Sequence, residues 1–153
     1  ATTGLKLAAN IAAMLIAFLS FVAMINYLLL FLGTSMEAIF GFLFKPLAWT
    51  MGVPWEEAGI LATLMGKKIV LTELIAYGDL QQAVTDGLSD RTAVIASYAL
   101  CGFANFGSIG IQLGGIGAIA PNRRGDLARL VTKAMIGGAL ASWLTATIAG
   151  LLL

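Results

Sequence analysis

The chain has 153 residues, 59% of them hydrophobic and only 11% charged, where soluble domains average about 25% charged; its mean hydropathy is +0.94. A net charge of +1 without a basic stripe gives no field for gathering nucleic acid, and the absence of histidine with a single cysteine, Cys101, excludes a Cys/His zinc site, a disulfide framework and a histidine-based triad within this chain. With no nucleophile–base pair and no metal-ligating cluster it does not read as an enzyme, and the composition is that of a helical protein of the lipid bilayer.

Residues Leu7 to Leu32 carry no charge. The run exceeds the about 20 apolar residues that span a hydrocarbon core, and it is too long, with no small-residue cleavage site after it, for a signal peptide. Asn10, Ser20 and Asn26 are placed to hydrogen-bond neighbouring helices. The chain opens on Ala1 rather than methionine, as a piece of a longer protein would. Gly33 ends this helix, Thr34-Ser35 offers a new N-cap, and Glu37 falls in the first turn, where the helix dipole favours an acid. The aromatic run that follows, with Lys45, Trp49 and Trp55, predicts an amphipathic helix on the membrane surface ending near Gly52-Val53-Pro54.

Glu56 to Asp90 holds two apolar arms, neither long enough to span. They predict a re-entrant hairpin broken at Gly66-Lys67-Lys68; a helical hairpin lying on the bilayer is the competing reading. Glu73 then sits below the surface, where a carboxylate is costly without a partner. An ion pair with a neighbouring lysine is the structural alternative to a ligand or ion role. Between Arg91 and Arg123 no residue is charged, which predicts a second crossing. Within it, Ala99 to Pro121 combines strong hydropathy with Gly102, Gly107, Gly110, Gly114, Gly115 and Gly117, each costing about 1 kcal/mol in a helix interior. A helix so apolar and so weak is expected to unwind partway and turn free backbone groups onto a cavity. Cys101 reads as a small apolar residue packed beside a helix.

Arg123, Arg124, Arg129 and Lys133 face one acid, Asp126, so this loop is cytoplasmic by the positive-inside rule. Lys6 then lies inside, residues 33–91 and the C-terminus outside, and the hairpin dips from the outer face. Ala134 to Leu153 is a third, uncharged crossing, with Ala134/Gly138 and Ala146/Gly150 spaced for close helix packing. The fold class is thus all-α and polytopic: three spanning helices, one of them discontinuous, with an interfacial helix and a re-entrant hairpin. The hairpin and the broken helix bring Glu73, Asn105, Ser108 and Gln112 together with unwound backbone, as in a secondary transporter's midplane site. Asn105 and Ser108 share a helical face, and Phe103 and Phe106 add flat apolar surfaces. A hydroxylated molecule carrying a ring suits both sets.

Tyr98-Ala-Leu-Cys-Gly-Phe-Ala-Asn-Phe-Gly-Ser108, then Gly-Ile-Gln-Leu-Gly-Gly and Ala120-Pro-Asn-Arg-Arg-Gly-Asp126, together with Gly52-Val-Pro-Trp55 and Met65-Gly-Lys-Lys68 leading to Glu73 and Ala76-Tyr77, closely resemble the concentrative nucleoside transporter family. The likeness runs over essentially the whole chain and corresponds to the C-terminal half of that family's proteins. It implies that residues 1–33 are a scaffold helix contributing to a homotrimer and that 34–153 are the second-repeat part of the transport domain. Within the latter, 35–50 would be the interfacial helix, 57–87 the re-entrant hairpin, 91–120 the broken helix and 127–153 the last helix. It implies further that Glu73 hydrogen-bonds ribose hydroxyls, that Asn105 and Ser108 complete those contacts, and that Phe103 lies near the nucleoside. The family's Asn-Glu-Phe is Thr72-Glu73-Leu74 here. The first hairpin and its partner helix, which in the family supply most nucleobase contacts and the sodium site, are absent. The implied function is ion-coupled symport of nucleosides, with sodium the expected ion, by alternating access across a bacterial inner membrane, with no cofactor and no metal ligand in this half. A nucleoside-binding sensor or channel, or an oligomerising membrane module without a ligand, are the alternatives.

Overall fold

The computed structural model describes residues 2–153, and every regular element among them is helical. In chain order these are α1 (Thr2–Leu30), α2 (Met36–Thr50), α3 (Trp55–Val70), α4 (Glu73–Thr85), α5 (Asp90–Leu100), α6 (Phe106–Ile119), a 3₁₀ turn (Pro121–Arg123) and α7 (Arg124–Leu152). Among the described residues, two helices are long and apolar enough to cross a membrane: Gly4–Leu30, with mean hydropathy 2.3, and Pro121–Leu152, with 1.6. In the most apolar window of the first, 6% is buried by the rest of the chain. Neither α5, with 11 residues, nor α6, with 14, is long enough alone; together they supply about 38 Å of helix, more than the ~30 Å hydrocarbon core.

Side-chain caps set where the helices start. Ser35, Thr72, Ser89 and Asn105 each adopt extended backbone and accept a hydrogen bond from the residue three positions on, at the N-termini of α2, α4, α5 and α6. Asn26 joins α1 to α2. Its amide donates to both Glu37 carboxylate oxygens, at 2.9 and 3.0 Å, and its carbonyl accepts from the Met36 N–H at 2.9 Å. The polar groups of α1 thus include one whose role as helix-to-helix glue is met as expected. At the opposite end of α2, Trp49 and Trp55 are exposed and meet edge to face, and the Lys45 ammonium stands 4.4 Å from the Trp55 ring centre.

The hairpin breaks later than expected. Gly66, Lys67 and Lys68 lie inside α3, and the chain leaves the helix at Leu71-Thr72. Gly66 is there for contact rather than for a turn: a Cβ on it would stand 2.7 Å from the Glu37 carbonyl of α2. Thr72 makes the break, since its hydroxyl caps α4 and leaves Glu73 at the first helical position. Lys67 reaches across the hairpin to Asp79 at 2.5 Å. At the hairpin's base, Glu57 accepts from the Ser89 N–H at 3.1 Å, from the Ser89 hydroxyl at 2.6 Å and from the Thr92 hydroxyl, so the start of α3 is stapled to the start of α5. These hydroxyls hold its carboxyl below the ordinary glutamate range, the Ser89 side chain most of all.

The last helix begins at Arg124, three residues before the expected 127. It lies along α5 and α6, and α6 lies along α1. The small residues mark the tightest approaches. A Cβ on Gly150 would overlap the Met51 carbonyl, and one on Gly110 would come within 2.6 Å of the Phe18 ring. Arg91 locks the first of these joints by donating to the Gly52 carbonyl at 3.0 Å and the Gly150 carbonyl at 2.6 Å. The core between α2, α3, α5 and α7 is built on Met51, Leu61, Met65, Ile95, Leu100 and Ala146.

Candidate functional site

Four helix ends meet: the C-terminus of α3 and N-terminus of α4 in the hairpin, and the C-terminus of α5 and N-terminus of α6 where the long helix unwinds. The expected interruption is present over Cys101–Asn105. Gly102 takes φ +97°, a left-handed conformation open to glycine at little cost. Of the six glycines in this stretch it alone bends the chain in that way; the five in α6 stay helical.

Asn105 is the centre of the site. Its carbonyl oxygen Oδ1 accepts from the Ser108 N–H at 2.7 Å and caps α6, while its Nδ2 donates to Glu73 Oε2 at 3.1 Å. One side chain thus ends the break and ties the two interrupted segments together. Asn105 is fully buried and Ser108 nearly so. Ser108 completes a capping box, its hydroxyl donating to the Asn105 carbonyl at 2.6 Å and accepting from the Asn105 N–H at 3.3 Å. Asn105 and Ser108 therefore meet as a cap and its third residue rather than as two positions on one helical face.

Glu73 is half-buried and Phe103 is 50% exposed, so these two are the open part of the site. Glu73 makes no ion pair with the neighbouring lysines: Lys67 is taken by Asp79, and Lys68 turns to backbone. Gln112, a turn and more further along α6, shares no hydrogen bond with Glu73, Asn105 or Ser108 among the described residues. Phe106 turns away from them. It packs on Phe40 with ring centres 6.2 Å apart and lines an apolar cavity of about 320 Å³ with Phe44 and Trp143. Cys101, expected to be packed away, is exposed at the break, and its carbonyl accepts from the Ser142 hydroxyl at 2.6 Å.

Lys68 is the residue that sequence reasoning missed. It is completely buried, and its ammonium donates to the carbonyls of Ala99 and Cys101, at 3.0 Å each, at the C-terminal end of α5. Helix dipoles put partial negative charge at such an end. The signal was a lysine in an arm otherwise apolar and expected to enter the membrane, a position that calls for a partner. Chemically, the site offers a carboxylate with one oxygen bonded to Asn105, the N-termini of α4 and α6, and an exposed aromatic ring. That set can accept from, and donate to, neighbouring hydroxyls beside a flat ring.

A family model described as "Na+ dependent nucleoside transporter C-terminus" matches residues 1–150. The chain is 46% identical to the uncharacterized transporter YutK of Bacillus subtilis over 99% of its own length and 39% of that protein's. It is 41% identical to the nucleoside permease NupC of Helicobacter pylori (99% and 39%) and 40% identical to sodium/nucleoside cotransporter 1 of Rattus norvegicus (99% and 27%). It spans about two fifths or less of the length of these relatives. Among solved structures, a double variant of CNTnw in an outward-facing state is similar with a TM-score of 0.91 at 43% identity, covering 99% of this chain and 40% of that one. CNTnw in an inward-facing substrate-bound state gives 0.78 at 46% identity, covering 98% and 37%.

Proposed function

The chain belongs to the Na+-dependent nucleoside transporter family, and on that premise we propose that it is the second repeat of an ion-coupled nucleoside symporter. The observation that carries this reading is the Asn105–Glu73 hydrogen bond at 3.1 Å, which joins the hairpin's break to the helix's break. Glu73 and Asn105 would bind the ribose hydroxyls, with Phe103 beside the nucleoside. Ser108, joined to Asn105 by three hydrogen bonds, would complete the ribose contacts with it. The relatives named for sodium and nucleosides support the substrate and the coupling ion. The sodium site itself belongs to the N-terminal repeat, outside this chain.

In the membrane, α1, the α5–α6 pair and α7 are the three crossings, α2 lies at the interface, and α3–α4 is a re-entrant hairpin entered from the outer face. The residues of 121–133 are cytoplasmic. Residues 1–33 serve as the scaffold of a homotrimer and 34–153 as part of the moving unit, in a bacterial inner membrane. One transporter solved in both outward-facing and inward-facing states shares this fold, which supports alternating access. Sodium would order the site, the nucleoside would bridge the two repeats, and the transport unit would move against α1.

The test is uptake of labelled uridine by the intact protein in vesicles with and without a sodium gradient. Gradient-driven accumulation that Glu73→Gln abolishes is expected, and 2′,3′-dideoxyuridine should compete poorly because a hydrogen-bonding site rejects the analogue that leaves its groups unpaired. Uptake indifferent to both sodium and Glu73→Gln overturns the proposal. Counterflow exchange separates a transporter from a sensor, and a mere oligomerising module would bind no nucleoside.

A further inference from the structure

Lys68 takes no part in the contacts just assigned, yet it is among the largest fully buried side chains of the molecule. No carboxylate pairs with it among the described residues; both ion pairs there involve other cations. Its two acceptors at 3.0 Å, the carbonyls of Ala99 and Cys101, flank the point where α5 ends. A helix that stops inside a membrane leaves carbonyls which no water satisfies. Here a charge carried on the neighbouring hairpin satisfies them, at the end of the helix where the dipole favours a cation. From Cys101 the backbone runs through Gly102 to Asn105, the residue that meets Glu73. The cation on α3 and the carboxylate on α4 therefore grip the same short break from its two ends.

We propose that Lys68 is a positioning residue for the nucleoside site, a tethered cation that takes the place of a bound ion at the α5 terminus and fixes the Cys101–Asn105 break so that Asn105 faces Glu73. This rests on the transporter reading of the same site. It makes the break's geometry depend on positive charge at one position, not on a hydrogen bond alone. Ser142, which also donates to the Cys101 carbonyl, is neutral and leaves the Ala99 carbonyl untouched, so it cannot substitute.

The experiment uses the intact protein with Lys68→Met, which keeps the apolar stem and removes the ammonium. Uridine affinity and thermal midpoint are measured in sodium buffer alone and with added ammonium chloride or, at equal ionic strength, tetramethylammonium chloride. Lys68→Met should weaken uridine binding by about tenfold or more. Ammonium, small enough for the vacated position and able to donate, should restore most of the affinity and of the midpoint, and tetramethylammonium should restore neither. Lys68→Gln, which keeps an N–H donor without charge, should behave like Lys68→Met; it carries the same comparison if Lys68→Met does not fold. Unchanged uridine affinity in Lys68→Met, full function in Lys68→Gln, or equal recovery with both salts overturns the proposal. If the wild-type protein binds no uridine, the transporter reading fails; ammonium-specific recovery of the midpoint would still report the tethered cation.

Discussion

Asn105 performs two tasks with opposite ends of one amide, and two substitutions pull them apart. In Asn105→Ala the Ser108 N–H loses its acceptor at 2.7 Å and Glu73 loses its donor at 3.1 Å. Loss of an N-cap costs about 1 kcal/mol, and up to about 2 where the freed N–H is buried, as this one is. In Asn105→Asp a carboxylate oxygen still accepts from Ser108, in a place at the start of α6 that favours an anion, so the cap survives. Its other oxygen now faces Glu73 Oε2 with no hydrogen between them, so the bond that joins the two segments is lost. A hydrogen bond to a charged group is worth about 1.5–3 kcal/mol, which corresponds to about 10- to 100-fold in affinity. The assay is denaturation midpoint in mild detergent alongside uridine affinity for the intact protein. Asn105→Ala should lose both stability and binding. Asn105→Asp should keep most of the stability and lose binding. Equal loss of stability in the two variants would refute the capping argument, and wild-type affinity in Asn105→Asp would refute the contact with Glu73.

The other joints give sharper structural tests. Gly150→Ala drives a methyl group into the Met51 backbone, which cannot rotate away, and should cost about 3 kcal/mol or more; Gly110→Ala meets the Phe18 ring, which can turn, and should cost less, as denaturation midpoints of the two variants will show. Asn26→Leu leaves the Glu37 carboxylate and the Met36 N–H without their partner and should lower the midpoint by the equivalent of about 1–3 kcal/mol, where Ser20→Leu, at an exposed position of the same helix, should not. Glu57 has its carboxyl held below the ordinary value of 4.5, first by the Ser89 hydroxyl and then by the Thr92 hydroxyl. A lowered folded-state value means that its stabilisation is complete above that ordinary value and is lost as the pH falls through the folded one. Midpoints of wild type and Glu57→Gln, followed from neutral to acid pH, should therefore differ by about 1 kcal/mol at neutrality and converge at low pH.

Why one break was legible and the other was misplaced comes down to glycine's two uses. In Ala99–Pro121 the density of glycine correctly marked an interrupted helix, but only Gly102 turns the chain; Gly110 lets α6 approach the Phe18 ring of α1. In the hairpin, Gly66 drew the expected break to the wrong turn because it too serves a contact, against the Glu37 carbonyl. Both uses look the same in one dimension, since a close partner is visible only once the partner's position is known. What does distinguish a break is the residue that restarts the helix. Thr72 before Glu73, Asn105 three places before Ser108, and Ser35 before Glu37 each carry the oxygen that an N-cap requires. By that mark Thr72, not Gly66, is the hairpin's break. The pairing of Lys68 with two backbone carbonyls had no such marker, because its acceptors carry no side-chain identity. The physical logic is nonetheless continuous with the caps. A membrane helix that stops must have its freed groups satisfied at both sides of the gap. Here the α6 side is satisfied by the side chain of Asn105, which is also the group that reaches Glu73, and the α5 side by a lysine from the hairpin. The groups that close the break are thus also those that hold the site, so a change at either end of the gap should be felt at Glu73.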